Sequence, residues 1–193
     1  LGNQGTNPGA AIYLYPNTGG LELVFTTIVS PTTGATAAVY VDGDVNITNS
    51  IIASYTVGLT ATGQAVSDYN LFFNAPTSLI TGSHSITDTD PQFVDPGAGN
   101  YAILPTSPAA AAGTDVGVYD DILGKGRPVT DPSMGAYELD YPPATQFTKT
   151  VTPTDNVAYH GLVTVTLVLD NAGPGHDPAV WLTDTLPAEA PFA

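Results

Sequence analysis

Acidic side chains near the middle of the chain are its best candidates for metal chemistry. Asp88, Asp90 and Asp95 follow one another closely, and Asn100 comes shortly after them. Calcium takes about six to eight oxygen ligands from carboxylates, carbonyl groups and water, which a run of aspartates can supply. The sequence therefore makes calcium a candidate cofactor at these three aspartates. The alternative is that each carboxylate accepts a hydrogen bond from a backbone N–H group in a turn.

The residues that could act as bases or nucleophiles are few and widely spaced. His84, His160 and His176 show no metal-ligand spacing, so we expect each to be a surface or turn residue. The sequence has no serine nucleophile motif and no phosphate-binding loop. We expect Arg127 to form a structural salt bridge rather than to act as a catalytic base. The chain is accordingly predicted not to be an enzyme.

Composition restricts both the fold class and the partners. The chain has 18 acidic residues against three cations (Lys125, Arg127 and Lys149) and a net charge of −15. Nucleic acids and anionic membranes require clustered Lys and Arg, so we expect neither nucleic-acid binding nor direct membrane insertion. The 20 glycines and 17 prolines interrupt the chain too often for long helices. The absence of cysteine excludes disulfides, so an all-β fold must be held by hydrogen bonds and packing.

Three similar segments indicate an internal repeat in the first half of the chain. They read LELVFTTIV (21–29), VNITNSIIA (45–53) and VSDYNLFFN (66–74). Aligning Thr27 with Ser50 and then with Asn70 gives spacings of 23 and 20 residues, which suit the coils of a β-solenoid. A β-sandwich would also produce three imperfect copies.

Alternation of apolar and polar residues predicts which side chains face the core. Val39, Val41, Val45 and Ile47 alternate with polar residues and are the predicted inward positions. Asn49, Ser50 and Asn70 are expected where the chain bends, because Asn and Ser hydrogen-bond nearby backbone groups in turns.

Residues 88–138 carry several motifs in a fixed order. They are DPQFVDP (90–96), NYAILPTSPA (100–109), AG (112–113), DILGKGRP (121–128) and MGAYE (134–138). Together they resemble the C-terminal segment of choice-of-anchor Q proteins, bacterial parallel β-helix proteins related to the pectate-lyase-like fold. The resemblance implies that residues 1–140 are the last coils and cap of a right-handed parallel β-helix. That family commonly has an Asp where this chain has Ala111, so no role for that carboxylate is expected.

The proline-rich and glycine-rich run from Asp90 to Pro132 is expected to cap the solenoid. An open sheet edge carries unpaired N–H and C=O groups, and terminal repeats cover such edges with irregular chain. A Pro-rich junction at 141–146 is expected to follow as a stiff, extended connection.

The end of the chain resembles a second family. FTKTVTP (147–153), VTVTLVLDNAGPG (163–175) and VWLTDTLPA (180–188) are similar to an Ig-like domain with a D-x-L-P motif that is repeated in prokaryotic surface proteins. Residues 147–193 are too few for the roughly seven strands of such a sandwich, so a partial Ig-like domain is expected. The other strands lie outside the ordered structure, are missing from this piece, or come from a neighbouring subunit by β-strand complementation.

The second resemblance also implies a role for Lys149. Ig-like surface domains sometimes join a lysine to an Asn or Asp through an isopeptide bond. Asp170, Asn171 or Asp184 would be the partner here, whereas the alternative is an ordinary surface ion pair.

These observations predict a non-enzymatic extracellular structural protein at a prokaryotic cell surface. It would be a stalk, adhesin or filament subunit, joined to copies of itself or to neighbouring domains of the same protein. The alternative is a carbohydrate-binding or polysaccharide-degrading module with glycans as partners. Its aromatic candidates are Tyr55, Tyr69, Phe72 and Phe73, although we expect these rings to fill the coil interior.

Overall fold

The computed structural model describes residues 9–15, 19–32, 35–139, 145–155, 157–158, 161–171 and 183. The protein is all-β. Its first nine strands are β1 (Gly9–Leu14), β2 (Leu21–Val24), β3 (Thr27–Val29), β4 (Ala35–Val41), β5 (Val45–Thr48), β6 (Ile51–Ala53), β7 (Tyr55–Ala61), β8 (Ala65–Asp68) and β9 (Leu71–Phe73). The part of the chain that the structure describes contains no helix that could span a membrane.

Three parallel sheets organise these strands. Sheet A contains β1, β4 and β7; sheet B contains β2, β5 and β8; sheet C contains β3, β6, β9 and the short β10 (Ile86–Thr87). The chain visits A, B and C in the same order three times, and each visit is called a pass. Every residue of β5 pairs in order with one residue of β2 and one of β8.

The repeat length read from the sequence is correct for one interval and wrong by one residue for the other. Ser50 and Asn70 precede the paired residues Ile51 and Leu71, which confirms the spacing of 20. Thr27 pairs with Ile51, so Thr26 rather than Thr27 corresponds to Ser50 and the spacing is 24. Two adjacent threonines have the same polarity, so residue type could not distinguish them.

The space between the three sheets is filled by inward-facing apolar side chains. The four residues predicted to face the core are buried: Val39, Val41, Val45 and Ile47. In sheet C, Ile28, Ile52 and Phe72 stack in register and join the same cluster. Complete burial of such a side chain contributes about 1.5–3 kcal/mol, so this core is the main source of stability.

The bends between sheets B and C repeat one backbone conformation in each pass. Phe25, Asn49 and Tyr69 occupy equivalent positions and have φ angles of 47°, 54° and 54°, in the left-handed region. Ser50 and Asn70 follow directly and are fully buried. The prediction that Asn49, Ser50 and Asn70 lie at bends is confirmed.

An irregular fourth turn of chain, residues 75–88, covers the edge of the third pass. Gly58 N–H donates to the carbonyl of Pro76 at 2.9 Å, and Thr81 N–H donates to that of Ser67 at 2.9 Å. Leu79 and Ile80 pack against the core from this segment. The prediction that the run from Asp90 to Pro132 caps the edge is therefore wrong.

Residues 89–139 form a second layer on the outer face of sheet C. Ile51 and Leu71 point outward from this sheet by strand alternation and are nevertheless fully buried. Met134 is also fully buried in this layer, and Gly135 N–H donates to the carbonyl of Asn49 at 2.7 Å. Burial of both faces explains why the strands of sheet C are short apolar runs rather than alternating sequences.

The chain divides into two compact units, Leu1–Asp140 and Tyr141–Ala193. In the first unit, β11 (Phe93–Asp95) and β12 (Asn100–Ile103) form an antiparallel pair. In the second, β13 (Thr145–Thr152) pairs antiparallel with β14 (Thr164–Asn171), and β13 is exposed along its whole length. Most of the predicted junction, residues 141–144, lies outside the described residues.

Candidate functional site

A groove of about 430 Å³ lies where the strands of sheet C end. Its floor is built by Val29, Ser30, Ala53, Ser54 and Phe73 from the ends of β3, β6 and β9. The outer wall is built by residues between positions 90 and 101. The volume falls within the range of about 300–1,000 Å³ that is common for ligand sites.

The parallel register makes the floor of the groove regular. Val29, Ala53 and Phe73 are paired residues of successive passes. The ladder continues past the strand ends, where Ser30 N–H donates to the carbonyl of Ala53 at 3.1 Å and Ser54 N–H donates to that of Phe73 at 2.9 Å. Neighbouring strands lie about 4.8 Å apart, so the floor offers a step of that size at each pass.

The outer wall is fixed by hydrogen bonds and prolines. Asp90 Oδ1 accepts from the N–H of Gln92 at 2.8 Å, and Gln92 Oε1 accepts from the hydroxyl of Thr106 at 2.6 Å. Pro91 is fully buried beneath this turn, with its carbonyl bound to the hydroxyl of Ser107 at 2.6 Å. The wall is therefore held in place by its own hydrogen bonds.

Two aromatic rings of the outer wall face each other across the β11–β12 pair. Phe93 and Tyr101 meet edge to face, with centroids 5.4 Å apart and an interplanar angle of 82°. Tyr101 also lies near the buried Tyr55, whose pKa is raised by burial and further by Tyr101. The residues that line the groove include Asp90 but no Lys, Arg or His. The surface is consequently aromatic and neutral to acidic.

The aspartates predicted as calcium ligands serve separate turns. Asp90 holds the turn to Gln92, while Asp95 Oδ1 caps the short 3-10 helix Pro96–Ala98 by accepting from Ala98 N–H at 3.1 Å. Asp88 has a φ of 54° and donates its N–H to the carbonyl of Phe72. Within the described ranges, no group of three His, Cys, Asp or Glu side chains is placed to hold a metal ion. The alternative of aspartates that bind turn backbone accounts for Asp90 and Asp95.

The four aromatic candidates are divided between core and surface. Tyr55 and Phe72 are buried, as expected for coil interior. Phe73, the next residue in the strand, points the other way and lines the groove, so the expectation of an interior position is wrong for it. Tyr69 is half-buried and stacks on the ring of the exposed His84 with centroids 4.3 Å apart, so the expectation is wrong for it too. Strand alternation alone would have separated Phe72 from Phe73.

Arg127 belongs to a buried ion pair in the second layer and not to the groove. Its Nη1 donates to Glu138 Oε2 at 3.1 Å, and its Nη2 donates to the carbonyl of Gly135 at 2.8 Å. The guanidinium carbon lies 4.0 Å from the ring centroid of Phe25. Burial lowers the pKa of Arg127, and the charges of Glu138 and Asp121 oppose that shift. The prediction of a structural salt bridge is confirmed.

His84 is an exposed residue of the turn that covers the third pass. Its Nδ1 lies 2.8 Å from Asp68 Oδ2, and its backbone N–H donates to Asp68 Oδ1 at 2.9 Å. Burial alone would raise the pKa of Asp68, but hydrogen bonds from His84 and from Tyr69 N–H hold it below the usual value. The pair joins the fourth turn to β8. His160 and His176 lie outside the described residues.

The strand register of the second unit shows how far the isopeptide candidates lie from Lys149. Lys149 pairs with Leu167, whereas Asp170 pairs with Gln146 and Asn171 pairs with Thr145. Alternation puts position 170 on the opposite face from Lys149. Asn171 is four residues along the ladder from Leu167, a distance of about 14 Å of extended strand. Asp184 lies outside the described residues, and the isopeptide bond stays a prediction.

Comparison with known proteins returned no relatives. No protein-family model matches the chain, and neither a curated protein nor a solved structure matches it significantly.

Proposed function

We propose that this chain is a structural, non-enzymatic part of an extracellular protein at a prokaryotic cell surface. In this proposal the first unit is a right-handed parallel β-helix and the second is part of an Ig-like sandwich. The protein acts as a stalk, adhesin or filament subunit through its shape and its end-to-end contacts. Location and the two family assignments rest on the sequence motifs.

The observation that carries the proposal is the threefold passage through sheets A, B and C in register. Each pass forms backbone hydrogen bonds with the pass before it, as a solenoid requires. Such a ladder adds length without a larger core, which suits a stalk. The polar residues that the sequence offered for catalysis also have structural partners: Arg127 binds Glu138, and His84 binds Asp68.

The second unit supplies the proposed means of assembly. The register places Phe147, Val151, Val165, Leu167 and Leu169 on one face of the β13–β14 pair, where Lys149 lies opposite Leu167. The five apolar side chains are each between 38% and 49% exposed among the described residues. We propose that strands of a second copy cover this face, because completion of a sheet by another chain joins subunits head to tail.

Sedimentation velocity of three proteins tests this assembly. The wild-type chain is expected to form assemblies that grow with concentration. Leu169→Asp places a charge opposite Phe147 on this face and is expected to leave single chains. Thr166→Asp is the matched control, because Thr166 pairs with Thr150 on the opposite face, and it is expected to assemble like the wild type. A wild-type protein that sediments as a single chain at every concentration would make self-association wrong.

A further inference from the structure

We propose that the groove beside sheet C binds a neutral oligosaccharide. The site consists of the floor residues Ser54 and Phe73 and the wall residues Asp90, Gln92 and Tyr101. This inference does not depend on self-association through the second unit. It assigns a binding role to a surface that the second layer creates.

The aromatic residues provide the apolar half of the recognition. Phe73 rises from the floor, and Phe93 and Tyr101 form an edge-to-face pair in the wall. A pyranose ring has a C–H face that packs against an aromatic ring, and rings fixed by their neighbours lose little entropy when they bind. The repeat of about 4.8 Å between passes is comparable with the length of one sugar unit along a chain.

The polar residues of the groove provide the hydrogen-bonding half of the recognition. Asp90 Oδ1 holds its own turn, and its Oδ2 makes no hydrogen bond to a described residue. Gln92 accepts from the hydroxyl of Thr106 through Oε1, so its side-chain amide supplies N–H donors. A carboxylate acceptor, an amide donor and the hydroxyl of Ser54 match the mixed donors and acceptors of sugar hydroxyls.

The charge of the groove selects a neutral ligand. Its lining residues include Asp90 and no cation, and the chain carries a net charge of −15. A phosphate or a uronic acid would meet like charge without a compensating Lys or Arg. Neutral hexose oligomers avoid this repulsion and still satisfy the polar groups.

Saturation-transfer NMR and calorimetry with defined oligosaccharides test the proposal. The probes are cellohexaose, maltohexaose and mannohexaose, with an oligogalacturonate as the anionic comparison. At least one neutral probe is expected to bind, with saturation concentrated on its ring C–H protons. Tyr101→Ala is expected to weaken that binding at least about tenfold, whereas Tyr101→Phe keeps the ring and stays within about threefold of the wild type.

A control variant and a second groove variant complete the test. Tyr15→Ala removes an aromatic side chain that is 61% exposed and does not line the groove, and it is expected to bind like the wild type. Asp90→Ala changes an exposed wall residue and is also expected to weaken binding. It replaces Tyr101→Ala in the test if that variant does not fold. The proposal is overturned if no neutral probe binds, if the anionic probe binds more tightly, or if neither groove variant weakens binding.

Discussion

The backbone N–H of Ser50 donates to Oδ1 of Asn70, one pass further along the chain, at 2.8 Å. The same relationship recurs at this bend: Thr26 N–H donates to Ser50 Oγ at 3.1 Å, and Asn70 N–H donates to Ser85 Oγ at 3.2 Å. These four residues form a corner ladder in which each pass satisfies a backbone donor of the pass before it. The ladder adds side-chain hydrogen bonds to the backbone bonds between passes that continue through this bend.

Asn70→Ala is expected to destabilise the first unit by about 2–4 kcal/mol. The Asn70 side chain is fully buried, and Nδ2 donates to the carbonyl of Ile47 at 2.8 Å. Its removal leaves Ser50 N–H and the Ile47 carbonyl without these partners. Urea unfolding measures the change. Asn46→Ala, on the exposed outer face of sheet B, should change the free energy of unfolding by less than about 0.5 kcal/mol. Equal changes in the free energy of unfolding for the two variants would show that the corner ladder does not stabilise the first unit.

Arg127→Met is expected to cost about 3–5 kcal/mol, because it leaves the buried carboxylate of Glu138 without its cation. The double variant Arg127→Met/Glu138→Leu should recover part of that loss, since neither charge then remains buried. Thermal and urea unfolding of both variants measure the difference. A single variant as stable as the wild type would contradict a structural role for this ion pair.

Asp121→Asn is expected to reduce stability at neutral pH and to lose this effect in acid. Asp121 accepts from the N–H groups of Leu123, Lys125 and Glu138. Burial would raise its pKa, but these bonds and the charge of Arg127 hold the pKa below the usual value. The carboxylate therefore stabilises the fold above the unfolded-state pKa of about 3.9, and this contribution disappears as the pH falls through the lower folded-state value.

Urea unfolding of the wild type and Asp121→Asn at several pH values between 7 and 2 checks this linkage. The two free energies of unfolding should converge at the acid end of the series. A difference that stays constant across the series would mean that ionisation of Asp121 contributes nothing.

Ala111→Gly is expected to stabilise the first unit by about 1 kcal/mol. Ala111 is exposed and has a φ of 49°, a conformation that costs a residue with a Cβ but not glycine. Ala112→Gly is the matched control. Ala112 does not have a positive φ, so glycine there should lower stability by about 0.5 kcal/mol through the entropy of the unfolded chain. Thermal unfolding of the two variants measures the change in stability. A loss of stability in both would contradict the prediction that the positive φ of Ala111 costs free energy.

Local patterning in the sequence predicted much of the first unit. Alternation placed Val39, Val41, Val45 and Ile47 in the core, and the polar residues marked the bends correctly. The salt bridge of Arg127 was also predictable, because a lone arginine in a structured segment needs a counter-charge. Its partner Glu138 was not predicted, since it approaches through the folding of the second layer rather than through a local pattern.

The second layer and its groove were missed because they depend on long-range packing. The runs Ile51–Ala53 and Leu71–Phe73 lack polar alternation, which indicates a sheet covered on both faces. That signal could have placed residues 89–139 on the side of sheet C instead of over its end. The groove itself requires Phe73 and Tyr101 to meet from different layers, and no spacing in the sequence encodes that meeting.

Electron microscopy of the wild-type protein tests the central claim most directly. We predict filaments or linear chains of particles with one copy per axial repeat, in which contacts between copies involve the second unit. These assemblies should disappear in Leu169→Asp and persist in Thr166→Asp. Isolated single chains for the wild type, at concentrations where sedimentation also finds no assembly, would contradict the proposed structural role through self-association.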